Sequence, residues 1–224
     1  MKAMILAAGR GERLRPLTDT IPKPLLQVGD HCLIEWHIKR LHSAGLTDIV
    51  VNVSYLGDLI QARLGDGSQY GVRITYSQEP PGALETGGGI CKALPLLGEP
   101  AFIVVNADIW SDFPFEQLSE PKGLAHLVMV NNPAQHPDGD FVLDDDHVLD
   151  EPAGARYTFS GIGVYRPELF SGKAQGRFPL APVLKLAMKE KAVSGELYQG
   201  NWYDIGTIDR LERLQNLIQD MRSE

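Results

Sequence analysis

The chain has 224 residues, 43% of them hydrophobic and 22% charged, and carries a formal net charge of -8 at pH 7. That length suits one domain with a sizeable core, and the acidic balance excludes a broad basic field for nucleic acid or anionic lipid. With only Cys32 and Cys91, no CxxC and no His-rich tract, a structural zinc site is excluded and two buried free thiols are expected.

Residues 1–8 begin with an apolar run that reads as a buried strand, too short for a secretory core. Residues 33–44 place Ile34, Ile38 and Leu41 on one helical face and stop at Gly45. A strand over 49–53, a short helix over 56–64 and a strand over 72–76 follow. Then come a glycine-rich helix over 87–97 and a buried strand over 102–105. Short apolar strands alternating with helices predict an α/β fold, a parallel sheet with helices on both faces.

The second half is richer in strands. Residues 124–130 read as one, and 141–143 with 147–149 flank Asp144-Asp145-Asp146 as a hairpin around a solvated tip. Residues 157–165 continue the β character. A helix over 180–191 carries Val183, Leu184, Ala187 and Met188 on its stripe. A last one, 207–222, carries Leu211, Leu214, Ile218 and Met221, with Thr207 as N-cap. No stretch approaches the ~18 apolar residues of a membrane helix, so a cytoplasmic protein is expected. No repeat or linker divides the chain, which is expected to be one domain with halves 1–110 and 111–224.

The first strand leads into Leu6-Ala7-Ala8-Gly9-Arg10-Gly11-Glu12-Arg13-Leu14-Arg15-Pro16-Leu17-Thr18. In an open α/β sheet, ligands bind beyond the carboxyl ends of the strands, where glycines let backbone N–H groups approach phosphate oxygens. Arg10, Arg13, Arg15 and Lys23 against Glu12 and Asp19 make this segment a cationic island in an acidic chain. A Walker loop needs Gly-Lys-Ser/Thr, which is absent. A dinucleotide fingerprint needs a third glycine where Leu14 stands, so a nicotinamide-dependent reductase is disfavoured. Lys23 sits between Pro22 and Pro24, which hold the local backbone out of helix and present one lysine on a stiff loop.

Asp108 follows the 102–105 strand, and a carboxylate at that edge faces the crevice as a hard ligand for Mg2+. Asp204, in Trp202-Tyr203-Asp204-Ile205-Gly206-Thr207, is the second candidate. For a base, the amide of Gln78 matches the imide edge of uracil or thymine, whereas Glu79 matches the N1 and N2 hydrogens of guanine, and both readings stay open.

The run from Leu6 to Thr18 with Pro22-Lys23-Pro24 resembles the signature of the sugar-1-phosphate nucleotidyltransferase family, and the resemblance covers nearly the whole chain. It implies a Rossmann-like domain, with a mixed, mostly parallel sheet and a small β-rich sugar-binding lobe. Arg13, Lys23 and Asp108 are then the catalytic set, with Mg2+ between Asp108 and Asp204. The nucleotide would meet Ala8, Gly9, Gly11, Glu12, Arg13, Lys23, Gln78, Gly82, Thr86, Gly88 and Asn106. The sugar would meet Gly139, Asp140, Glu151, Ser160 and Gly161. The substrates implied are a nucleoside triphosphate and a sugar 1-phosphate.

Two departures reshape the sugar pocket. Asp150-Glu151-Pro152 stands where many members have Glu-Lys-Pro, and Phe159 replaces a common asparagine. With the short length and no acyltransferase domain, these resemble the branch that uses UTP and N-acetylmuramate α-1-phosphate. Arg156 is the candidate partner for that sugar's lactyl carboxylate. Guanylyl transfer to mannose 1-phosphate, or uridylyl or thymidylyl transfer to a hexose 1-phosphate, is the alternative within the family. A non-catalytic nucleotide-sugar sensor is the alternative outside it.

Overall fold

A computed structural model describes residues 1–220. In chain order the first half contains β1 (Ala3–Leu6), β2 (Gln27–Val28), β3 (His31–Cys32), α1 (Leu33–Ser43), β4 (Asp48–Val53), α2 (Gly57–Leu64), β5 (Arg73–Gln78), α3 (Glu85–Leu97), β6 (Phe102–Asn106) and β7 (Ile109–Ser111). The second half contains β8 (Ala125–Val130), β9 (Phe141–Asp144), β10 (His147–Leu149), β11 (Arg156–Tyr165), α4 (Ala181–Lys189), β12 (Val193–Tyr198), β13 (Trp202–Asp204) and α5 (Ile208–Asp220).

Among the described residues, one nine-stranded sheet runs in the order β5-β4-β1-β6-β11-β8-β12-β10-β9. Its β5-β4-β1-β6 side is parallel throughout. Antiparallel β11 joins β6 to β8, and β12 lies parallel to β8, so the sheet is mixed. The chain steps outward from β1 to β4 and β5, then returns to place β6 on the other side of β1. That reversal opens a crevice beyond the carboxyl ends of β1 and β6, the natural ligand position in such a sheet.

Both faces of the sheet are covered, which explains why β1 is apolar at successive positions rather than alternating. Ile5 packs into a core with Ile34, Ile38 and Leu41 of α1 and with Ile60 and Leu64 of α2. Met4 points to the opposite core, with Ile90 of α3 and Val183, Leu184, Ala187 and Met188 of α4. Burying each such aliphatic side chain contributes on the order of 2 kcal/mol. A third cluster seats Leu211, Leu214 and Ile218 of α5 against Val28, Leu33 and Trp110. Met221 and Arg222, the expected continuation of that helix, lie outside the described residues.

The expected hairpin forms between β9 and β10, and Asp145 turns its tip at φ 50°. Cys32 and Cys91 are buried free thiols. The sequence reading did not anticipate the short pairs β2–β3 and β7–β13, or β12, whose Ser, Gly and Glu interrupt its apolar pattern. No helix among the described residues is long and apolar enough to cross a membrane.

Candidate active site

The crevice is a cleft of about 430 Å³ beyond β1 and β6. Gly9, Gly11, Glu12, Arg13, Lys23, Asn52, Glu79, Glu85, Thr86, Asn106, Asp108 and Gly206 line it, along with Ala8. Its floor is tied by polar contacts between strand ends. The Ala7 N–H donates to Asn52 Oδ1 at 2.7 Å, and Asn52 Nδ2 donates to Glu79 Oε1 at 2.7 Å. Glu79 Oε2 accepts from the Leu84 N–H at 2.7 Å. Both Asn52 and Glu79 are buried, and each polar end has a partner, as burial requires.

The four cations of the N-terminal island have different partners. Arg10 stacks over the Tyr55 ring, 5.2 Å from its centroid, and Arg15 pairs with Asp19 at 2.7 Å in an exposed contact. Lys23 is only 7% exposed, and its ammonium lies 2.8 Å from Asp108 Oδ2, whose side chain is 47% exposed. Gly11, at φ 68°, is required here because a Cβ would sit 3.0 Å from the Lys23 Cβ. The exposed Arg13 guanidinium lines the cleft with no carboxylate partner among the described residues.

Asp204 arrives by the β7–β13 pairing, in which it stands opposite Ile109, and the Ile205 N–H donates to the Asp108 carbonyl at 2.9 Å. The two candidate metal carboxylates therefore come from adjoining strands. Asp204 also accepts from Gln135 Nε2 at 2.6 Å and from Arg210 Nη1. Two carboxylates from the protein, completed by substrate phosphates and water, meet the needs of Mg2+, so the donor set fits that ion. No group of three or more His, Cys, Asp or Glu suited to a metal occurs among the described residues.

His37 supports this edge from below. Fully buried in α1, its Nε2 lies 2.8 Å from the Ile109 carbonyl, next to Asp108 in sequence. Burial pushes its pKa down to about 4, so the ring is neutral at physiological pH and donates to that carbonyl. Asn52, His37 and Arg210 escaped the sequence reading. A polar residue inside the apolar IVVNV strand was the available signal for Asn52.

Several expected ligand residues stand elsewhere. Gln78 is exposed on the edge strand β5, 3.5 Å from Gln61, and does not line the cleft. Gly82 is exposed in the loop before α3, at φ 97°. Gly88 faces the protein: a Cβ there would lie 2.1 Å from the Gly176 carbonyl oxygen, and one on Gly89 would lie 2.6 Å from Glu79 Oε1. These helix glycines are closely packed against neighbouring protein. Ala83 and Glu85, both lining the cleft, hold positive φ angles, a cost characteristic of ligand loops.

The expected sugar residues form a cluster beside the cleft, meeting its lining where Gly161 abuts Asn106. Asp140 Oδ2 accepts from the Phe159 N–H at 2.8 Å, and its Oδ1 is 3.1 Å from His136 Nε2. Gly139 precedes it at φ 62°. Ser160 is buried, with its carbonyl accepting from Trp202 Nε1 at 2.9 Å, and Gly161 abuts Asn106 at the bulge in β11. Exposed Glu151 and Asp140 both offer backbone carbonyls to Arg156, at 2.8 and 2.5 Å.

Comparison with known proteins agrees with this geometry. Residues 2–125 match the nucleotidyl transferase family model. The N-acetylmuramate alpha-1-phosphate uridylyltransferase of Neisseria meningitidis serogroup B is 54% identical, covering 97% of this chain and 98% of that protein. A protein of the same name from Caulobacter vibrioides is 34% identical over 91% of each. A mannose-1-phosphate guanyltransferase of Aspergillus fumigatus is 46% identical, but over 61% of this chain and 40% of its own length. The fold matches a solved structure from Bacillus anthracis, described as a candidate glucose-1-phosphate thymidylyltransferase, with a TM-score of 0.86 at 23% identity over 98% of this chain and 96% of that one. With a cleft-lining glycine loop and lysine and two carboxylates at adjoining strands, and with relatives matching end to end, the chain belongs to the nucleotidyl transferase family.

Proposed function

We propose that this chain transfers a uridylyl group from UTP to N-acetylmuramate α-1-phosphate, forming UDP-N-acetylmuramate and pyrophosphate. The observation that carries this reading is the end-to-end similarity, at 54% identity, to a relative named for that reaction. An oxygen of the sugar phosphate attacks the α-phosphorus of UTP. A new P–O bond forms, the bond from that phosphorus to the oxygen bridging the β-phosphate breaks, and pyrophosphate leaves with the electron pair. A phosphate monoester is largely ionised at neutral pH, so no general base is required.

Arg13 and Lys23 neutralise charge on the phosphates, where fixed cations act most strongly out of bulk water. Lys23 spends one of its three N–H donors on Asp108, which leaves two for phosphate oxygens. Asp108 and Asp204 would hold Mg2+, which when bound would supply neutralisation of phosphate charge. Each oxygen of the Glu79 carboxylate, at the edge of the cleft, accepts one hydrogen bond, from Asn52 Nδ2 or from the Leu84 N–H. Gly139, Asp140, Glu151, Ser160 and Gly161 frame the sugar, Asp140 and Ser160 acting through the backbone they hold.

The test is a pyrophosphate-release assay crossing the four nucleoside triphosphates with several sugar 1-phosphates, N-acetylmuramate α-1-phosphate included. UTP with the muramate should be the fastest pair. Release only from GTP with mannose 1-phosphate would shift the reading to guanylyl transfer. No release from any pair would leave a nucleotide-sugar sensor.

A further inference from the structure

Gly206 lines the cleft, and two guanidinium groups close on it from different parts of the chain. A Cβ built on Gly206 would lie 2.8 Å from Arg210 Nη1 and 3.2 Å from Arg13 Nη1. Two like charges brought to one point repel unless an anion lies between or beside them. Arg13 has no carboxylate partner among the described residues. Arg210 has one, Asp204, to which its Nη1 donates. Asp204 is also the second candidate metal ligand, so Arg210 occupies the carboxylate that a metal would need.

We infer that Arg210 is a phosphate-binding residue of this cleft, which together with Arg13 grips a phosphate group once a divalent cation takes over Asp204. The inference rests on the transferase reading for the presence of the metal, but not for the convergence of the arginines. In the free protein Arg210 acts as the internal counter-cation of Asp204. Metal at Asp204 releases the guanidinium, whose planar fork matches phosphate oxygens. Metal and phosphate binding therefore strengthen each other, and reciprocally so. Pairing with Arg13 favours the pyrophosphate portion of the nucleotide over the single phosphate of the sugar.

Calorimetry on the purified full chain tests this without turnover. Mn2+ is titrated alone, followed by inorganic pyrophosphate and, separately, a sugar 1-phosphate with Mn2+ present. For Arg210→Met the expectation is opposite in sign for the two ligand types: Mn2+ alone binds several-fold tighter, and pyrophosphate about tenfold or more weaker, the worth of one charge-assisted contact. Arg210→Lys, which keeps the charge, should fall between. A loss confined to the sugar phosphate would keep the cradle and assign it to the acceptor. Weakening of Mn2+ and both anions together, with Arg210→Lys behaving the same, marks a merely structural residue and overturns the inference, as does no change in either. Absence of turnover with every substrate pair would defeat the transferase reading while leaving these binding results intact.

Discussion

Lys23 Nζ and Asp108 Oδ2 lie 2.8 Å apart, bringing together the proline-flanked loop after β1 and the end of β6. The lysine is buried and the carboxylate half exposed, so the pair faces the cleft from the carboxylate's side. In the proposed reaction the lysine would serve phosphate and the carboxylate metal. Either Lys23→Ala or Asp108→Ala should lower turnover by about 10²-fold or more, the usual loss when one charge-stabilising contact is removed. Initial rates of pyrophosphate release measure this, and near-wild-type rates would reject the assignment.

Because Asp108 and Asp204 alone cannot complete the shell of Mg2+, metal should be held loosely without nucleotide. Chelation with EDTA is therefore expected to abolish turnover, and excess Mg2+ to restore it. Activity that survives chelation would remove both aspartates from a metal role.

The Asn52–Glu79 contact leaves no room beneath α3. Gly89→Ala would place a methyl group 2.6 Å from Glu79 Oε1 and 2.9 Å from Asn52 Nδ2. It should destabilise the fold by about 1–3 kcal/mol, the range for overpacking, as read from the denaturant midpoint. Glu79→Gln should also destabilise, yet leave the preference for UTP over GTP unchanged. A switch of base preference in that variant would make Glu79 a base reader after all.

Acid should weaken the protein in two steps. His37 is held down to about 4 by burial, against an ordinary value of 6.5, so the unfolded chain takes up a proton that the folded one refuses. Stability is then lost as pH falls from 6.5 toward 4, on the order of 3 kcal/mol for this group. Glu35 adds a second loss. Burial raises its pKa, but hydrogen bonds from Arg63, the Cys32 N–H and Tyr70 outweigh it and hold the carboxyl down to about 2, so its contribution fades between pH 4.5 and 2. Unfolding free energies measured across this range should slope upward with pH, and less steeply between 6.5 and 4 in His37→Gln. An unchanged slope in the variant would contradict the buried neutral histidine.

Arg156 uses two of its donors on the carbonyls of Glu151 and Asp140, and no carboxylate neutralises it among the described residues. That leaves a positive charge beside the sugar cluster. Arg156→Ala should reduce the preference for N-acetylmuramate over N-acetylglucosamine phosphate, compared as kcat/KM. An unchanged ratio would assign Arg156 only to bracing the hairpin.

The sequence by itself determined the local chemistry. Residues 3–6 are apolar on both faces because the strand is covered twice, and the glycine loop, the stiffened Lys23 and Asp108 at a strand end follow from nearest-neighbour rules of backbone and charge. Those rules act over a few residues, so they survive without a fold. What only the tertiary structure decided are pairings across long separations. Asn52 and Glu79 lock strand ends 27 residues apart, β13 carries Asp204 to the side of Asp108, and Gly88 packs against Gly176. The convergence of Arg13 and Arg210 on Gly206 belongs to the same class. It depends on where α5 docks, which is set by burial of Leu211, Leu214 and Ile218 against Trp110 and its neighbours, a packing outcome that no local pattern encodes.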